Sequence, residues 1–205
     1  MDYTNHLRGI SVAILIVLRP KDSKNERYTI LTEQTRLNSY GTTFLGIPVG
    51  KLDEKTGDIT GFAIEEIAGS ARLKIRKEDT IDMTAMALEH SQYNEDLPPT
   101  LHMNPTTSDK QVSVLLWEKD MEWRDIESLK QRFGSERAEH GGQSTVRIHH
   151  FEALWREGAR DAGTLAAWAL YEGLSGSGRI EQRLYEIRAE QMQRRLREDR
   201  DDRSY

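Results

Sequence analysis

The longest apolar run in the chain, Val12 to Leu18, is the feature that most constrains the fold. It spans seven residues, whereas a membrane-spanning helix needs roughly 20. A short apolar run that is rich in β-branched residues is typical of a strand buried inside a sheet. We therefore predict that this run forms a core strand and that the chain does not cross a membrane.

Two further extended segments follow this run. The cluster Tyr28–Thr35 is separated from it by the charged stretch "RPKDSKNER", which predicts two strands joined as a hairpin. The next segment, "TTFLGIPVG", contains Pro48 and two glycines, Gly46 and Gly50. These residues favour a loop or bulge over a central strand.

The spacing of the apolar residues changes after residue 58. Apolar residues then recur three and four positions apart, which predicts a helix with one apolar face; they are Ile59, Phe62, Ala63, Ile67 and Ala71. Asp58 or Thr60 is expected to cap this helix. A second short helix is predicted from Asp79 through "TIDMTAMAL".

The rest of the chain continues to alternate strands and helices. "QVSVLLWE" and "STVRIHH" have the composition of strands, and "DIESLKQRF", "FEALW" and "AGTLAAWALYEGL" that of helices. This order predicts an α/β fold, a sandwich in which helices cover both faces of a mixed sheet.

The stretch "GLSGSG" interrupts the pattern, so we divide the chain into a domain at 1–174 and a C-terminal segment at 175–205. Residues 179–203 form a predicted helix with eight arginines and seven acids. Ile180, Leu184 and Ile187 give it a narrow apolar stripe, which would suit docking on the domain or pairing of two subunits. The density of charge instead favours a solvated helix.

The overall composition limits the classes of function. A net charge of -5 does not suit a general nucleic-acid binder. The chain contains no cysteine, which excludes disulfides, thiolate nucleophiles and cysteine metal sites. The first residues, "MDYTNHLRG", do not have the pattern of a secretory signal, so a cytoplasmic location is expected.

Several segments occur in the order and spacing of one known family. They are "LTEQTR", "GIPVGKLDEKTGDITGFAIEEI", "LKIRKEDTIDMTA", "SDKQVSVLLWE", "EHGG" and "ALW" followed by "GTLAAWALYE". Over roughly residues 8–174 the chain resembles the ADP-sugar and ADP-ribose pyrophosphatase branch of the Nudix hydrolases. The resemblance implies an α/β/α sandwich, a small-molecule ligand and a homodimer.

The same family has a box of the form G-x5-E-x7-R-E-U-x-E-E-x-G-U, where U is aliphatic, and this chain departs from it. Glu65 stands at the arginine position and Glu66 keeps the first glutamate, but Gly69 and Ser70 replace the second and third, and Arg72 replaces the closing glycine. Glutamates three and four apart on a helix face supply the oxygen ligands that divalent cations need. Those cations neutralise a diphosphate and activate the attacking water.

Outside the box, other positions that are commonly acidic in the family have also changed. Gly46, Gln111 and Gly142 stand at these positions. The resemblance therefore implies a degenerate box, and we predict no bound metal and no cofactor.

With the acids gone, the cavity would be drier and would suit a neutral or apolar small molecule. Glu66 is the first candidate for an acid or base, and His102 or His140 would be its partner. The candidate substrate-binding residues are Gln34, Arg36, Asp53, Glu54 and Gln111.

Three functions stay open from the sequence. The preferred one is metal-independent acid/base chemistry of the isomerase, cyclase or lyase type, of the kind that serves a biosynthetic pathway. The second is a non-catalytic protein that binds a ligand or partner. The third is a weak ADP-sugar diphosphatase.

Overall fold

The computed structural model of the protein describes residues 10–23, 25–35, 43–89, 91, 98–104, 108–139 and 146–202. Side chains are described for the same residues except 34–35, 70, 103–104, 108–110, 134–139, 195 and 198–202. Arg36 and His140, two of the predicted site residues, and Gly142 lie outside the described residues, as does the side chain of Gln34.

The described strands form one mixed sheet. Their bounds are β1 Ile10–Pro20, β2 Tyr28–Thr35, β3 Thr43–Gly46, β4 Val49–Leu52, β5 Ile59–Thr60, β6 Ile81–Asp82, β7 Leu101–Asn104, β8 Ser108–Met121 and β9 Val146–His150. The predicted hairpin is present, because β1 pairs antiparallel with β2. The segment "TTFLGIPVG" forms two short strands, β3 and β4, interrupted at Ile47 and Pro48.

Strand β1 lies at the centre of this sheet. β8 runs parallel to it along almost its whole length, from Ser11 opposite Val112 to Pro20 opposite Met121. On the other side, β4 pairs with the first half of β1 and β2 with the second half. The residues 12–18 are each no more than 3% exposed, which confirms the predicted core strand.

Helices cover both faces of the sheet. Their bounds are α1 Phe62–Ala71, α2 Met83–Leu88, α3 Trp123–Glu139, α4 Leu154–Glu157, α5 Ala162–Gly176 and α6 Arg179–Asp202. The even-numbered residues of β1 from Val12 to Leu18 join a core cluster with α1 and α3. The odd-numbered residues from Ala13 to Val17 join a second cluster with α5 and α6. This arrangement confirms the predicted α/β sandwich.

Two details of the predicted helices are wrong. Helix α1 begins at Phe62 after Gly61 and has no side-chain cap, because Thr60 pairs with Lys51 in the sheet and Asp58 bridges to Arg76. Helix α2 is shorter than expected, since the residues before it form a 3-10 turn, Lys77–Asp79, and then β6, which pairs with β8.

The preference for a solvated C-terminal helix is also wrong for the first half of α6. Ile180, Leu184 and Ile187 are at most 6% exposed and belong to the second core cluster. Helix α5 continues to Gly176, and the break is confined to a short turn in which Gly178 has a φ of 74°. The boundary at residue 174 stays a prediction.

Two glycines allow β4, β5 and the start of α1 to approach one another. A Cβ on Gly50 would lie 2.6 Å from the carbonyl oxygen of Thr60. Gly61 has a φ of 149°, and a Cβ there would lie 3.1 Å from the carbonyl oxygen of Val49. The backbone of this region therefore depends on the absence of side chains at both positions.

None of the helices in the described part of the chain has the length and apolar character that a membrane span requires.

The glycines of this region give a direct test of the packing. Gly50→Ala should lower the free energy of unfolding by about 1–3 kcal/mol, since the new methyl group meets backbone that cannot move aside. Gly69→Ala is the matched control, because a Cβ at that exposed helical position meets nothing within 4 Å. It should raise the free energy of unfolding by roughly 0.5–1 kcal/mol. Urea unfolding measures both changes, and equal stability of the two variants would contradict this account.

Candidate functional site

Helix α1 carries the one box carboxylate that the sequence retains at a metal-ligand position, Glu66. Its side chain is half-buried, while the neighbouring Glu65 is exposed. One turn further on, Gly69 is exposed, and the space where its side chain would begin is empty. The second turn of α1 therefore offers no carboxylate at residue 69 or 70.

A divalent cation such as Mg²⁺ takes its protein ligands mainly from carboxylate oxygens. Among the described residues, no three His, Asp or Glu side chains lie close enough together to hold a metal ion. The donor set around α1 thus does not fit the cation cluster that the Nudix box implies.

The end of α1 also has an unusual backbone. Arg72 follows the last residue of the helix and adopts the left-handed conformation, with φ 54° and ψ 32°. A residue with a Cβ is disfavoured in this conformation, whereas glycine adopts it freely. The position is the one at which the sequence resemblance led us to expect glycine, so the backbone has kept the turn although the residue has changed.

A cavity in the described part of the chain is not lined by Glu66. It has a volume of about 1530 Å³. We call it the α2 groove, and residues that define it are Leu52, Asp82, Met86, His102, Leu115 and Arg183. Glu66 is not among the residues that line it.

The floor of the α2 groove is largely apolar. Leu52 and Leu115 belong to the first core cluster, and Ile81 belongs to the second. Ser113, which is 8% exposed, adds a polar group at the same depth. An apolar floor with a few polar groups is the usual character of a small-molecule site.

Charged side chains of both signs surround this floor. Lys74 lies 4.0 Å from Asp58, and Arg76 lies 3.4 Å from Glu78, so these cations already have acidic neighbours. All four side chains are about half exposed or more, and exposed pairs of this kind contribute little to stability. The rim is therefore mixed in charge and does not select for one sign.

Asp82 is a groove residue that sequence reasoning missed. Its carboxylate accepts a hydrogen bond of 2.9 Å from the backbone N–H of Ala85 and so caps α2. Burial raises the pKa of the Asp82 carboxyl, although hydrogen bonds from the α2 backbone and the charge of Lys77 partly offset this effect. The sequence signal was an aspartate before "MTAMAL", which predicts a cap but not burial.

The structure brings some of the predicted site residues together. Glu54 and His102 line the α2 groove, and His102 is exposed on β7. Gln111 lies directly opposite His102 on β8, so the two residues share one face of the sheet. Asp53 is exposed, and its carboxylate accepts a 2.8 Å hydrogen bond from the N–H of Lys55, which makes it a turn residue.

The other predicted residues are not part of this group. Glu66 lies on α1, outside the groove lining. The backbone of Gln34 pairs with Phe44 between β2 and β3. The predicted site therefore divides into two groove residues, Glu54 and His102, with Gln111 paired opposite His102, and the separate Glu66.

Comparison with known proteins gives one informative match. The chain is 35% identical over 173 residues to "Nudix hydrolase 14, chloroplastic" from Arabidopsis thaliana. The alignment covers 84% of this chain and 52% of the relative, so the chain spans about half the length of the curated protein it matches. No family model matches the chain.

The raised pKa of Asp82 predicts a pH-dependent difference between variants. A carboxyl whose pKa is raised by folding contributes most to stability below its ordinary pKa, and this contribution is lost as the pH rises through the raised value. Asn cannot ionise but still caps a helix. The free energy of unfolding of Asp82→Asn should therefore increase relative to wild type between about pH 4 and pH 7.

Urea unfolding at several pH values measures this difference. Asp82→Ala is the control, because it loses the cap and should be less stable by about 1 kcal/mol. If the stability of Asp82→Asn relative to wild type stays constant or decreases as the pH rises, burial does not favour the neutral carboxyl.

Proposed function

The chain belongs to the Nudix superfamily, and on that premise we propose that it binds a small molecule in the α2 groove and acts on it without divalent cations. The chemistry would be proton transfer of the isomerase, cyclase or lyase type rather than hydrolysis of a diphosphate. The proposal concerns this chain alone, since the relative that it matches is about twice as long.

The observation that carries the proposal is the donor set of α1. Diphosphate hydrolysis of the Nudix type uses bound cations to neutralise charge and to activate water. Glu66 is half-buried on this helix, and Gly69 leaves empty space one turn further on. A single carboxylate does not compete well with the water shell of Mg²⁺, which dehydrates reluctantly.

The groove supplies the groups for a different chemistry. Asp82 and His102 line the same cavity. Because burial raises the pKa of Asp82, its carboxyl holds a proton at higher pH than an exposed aspartate and suits the role of an acid. His102 is the complementary base in this proposal, because it lines the same cavity and an imidazole nitrogen can take up a proton from a bound molecule. The proposal thus moves the acid/base role from Glu66 to Asp82 and keeps His102.

A non-catalytic ligand-binding protein is the second candidate. It is favoured by the hydrogen bond between Asp82 and Ala85, which already gives this carboxylate a structural task. Replacing His102 by Asn would distinguish the two, because turnover would fall in an enzyme while ligand affinity would stay the same in a binding protein.

Four further assignments belong to the same proposal. The ADP-sugar branch and the degenerate box derive from the sequence resemblance, and the homodimer from relatives of that branch. A cytoplasmic location is also part of this proposal. The printed name of the relative places that protein in the chloroplast.

Nucleotide hydrolysis provides the first test. We expect no release of AMP from ADP-ribose or ADP-glucose above a protein-free control, with either Mg²⁺ or Mn²⁺ present, because α1 lacks the acids that hold these ions. Chromatography of the nucleotides measures the product. Clear turnover that disappears in Glu66→Gln would show that the box is active and would refute the proposal.

Restoring the acids provides the second test. Gly69→Glu combined with Ser70→Glu should create a cation site beside Glu66, because the position of the Gly69 side chain is open. Calorimetry should show Mn²⁺ binding at least about tenfold tighter than in wild type. The control combines Gly69→Gln with Ser70→Gln, which has the same shape without the charge. Equal Mn²⁺ affinity of wild type and both variants would contradict the loss of a metal site.

A further inference from the structure

Helix α6 is attached to the rest of the protein by more than its apolar stripe. Arg179 donates a 2.7 Å hydrogen bond to the carbonyl oxygen of Met86 at the end of α2, and it also pairs with Glu89. Two turns later, Arg188 lies 3.3 Å from Glu118 on β8. These contacts fix the first half of the helix to α2 and to the sheet.

A third attachment lies further along α6. Gln191 and Arg194 both donate hydrogen bonds to the same carboxylate oxygen of Asp79, at 2.9 and 2.8 Å. Arg194 also lies 2.7 Å from Glu78. The side chain of Asp79 is 19% exposed, so these contacts are better shielded from water than ordinary surface pairs.

The segments held by α6 are walls of the α2 groove. Lys77 and Glu78 of the 3-10 turn line the groove on one side, and Met86 and Glu89 line it at α2. Arg183 lies on α6 between Arg179 and Arg194, and its side chain lines the groove. Helix α6 therefore contacts two walls of the groove, the 3-10 turn and α2, and forms part of a third wall through Arg183.

The 3-10 turn has a second support on its other side. The backbone N–H of Lys77 donates a 3.1 Å hydrogen bond to the carbonyl oxygen of Gly57. The turn therefore lies between the loop before α1 and the C-terminal helix. Loss of the contacts to α6 would leave the turn attached through that loop and through β6, which pairs with β8.

We propose that α6 is a strap that controls access to the α2 groove, with Gln191 and Arg194 as the positioning residues that hold the Lys77–Asp79 wall through Asp79. Asp79, Gln191 and Arg194 do not line the groove. Arg183 does line it, and it is the residue of α6 that would contact a bound molecule. The inference deepens the proposed function and rests on it in one respect, that the groove is the ligand site.

A single cysteine in the groove can report on the strap, because the natural chain contains none. Ser113→Cys places a thiol at a groove residue that is 8% exposed. The rate of its reaction with 4,4′-dithiodipyridine, a neutral disulfide, measures access without an effect of charge. Adding Gln191→Ala and Arg194→Ala should accelerate the reaction by about threefold or more, as expected when a weakly stabilised wall opens locally.

The matched control adds Gln193→Ala and Arg197→Ala to the same Ser113→Cys protein. It removes the same residue types from α6, but both positions are exposed, so the rate should not change. Asp79→Ala removes the partner on the wall and should accelerate the reaction as the strap variant does. Combining Asp79→Ala with the strap variant should give no further acceleration.

Hydrogen exchange of residues 74–82 provides a second measurement. It should become faster in the strap variant and in Asp79→Ala, and stay unchanged in the control. Unchanged labelling and exchange in both test variants would overturn the proposal. Equal acceleration in the control would also overturn it, because the effect would then be a general loosening of α6.

These outcomes are separate from those of the proposed function. Labelling and exchange report on the wall whether or not a ligand is known. AMP release that depends on Glu66 would refute the metal-free proposal and leave the strap intact. Failure of the strap test would leave the nucleotide assay unaffected.

Discussion

Burial of β1 on both faces is the constraint on which the rest of the structure depends. Every residue from Val12 to Leu18 is at most 3% exposed, and burying one large apolar side chain contributes about 1.5–3 kcal/mol. Because successive residues of a strand point to opposite faces, neither face can be left open to water. Helices α1 and α3 must cover one face, and α5 with the first half of α6 must cover the other.

In the box region, the positions that the backbone packing requires differ from the positions that could carry metal-binding side chains. Gly50 and Gly61 are required where β4, β5 and α1 meet, since a side chain at either position would collide with neighbouring backbone. Position 69 of α1 has no such packing constraint. Gly69 is exposed beside empty space, so a carboxylate can be lost there at little cost to folding. The fold can thus persist while the metal-binding chemistry changes.

Some of the charged residues of α6 face water, and others pair with acids elsewhere in the fold. Along the sequence they resemble a solvated surface, and many do face water. Several nevertheless meet acids on the 3-10 turn and on β8, and the 3-10 turn lines the α2 groove. A helix with the composition of a solvated surface therefore forms part of the wall of this groove, through Arg183.

By itself, the sequence determined most of the strands and helices, the two-sided core and the family, because these depend on local periodicity and on motifs contiguous along the chain. It also identified two residues that line the groove, Glu54 and His102. Only the tertiary structure decided that Asp82 is half-buried, that Glu66 is not part of the groove lining, and that α6 docks. Each of these depends on contacts between segments far apart in the chain, and such contacts leave no periodic signal along the sequence.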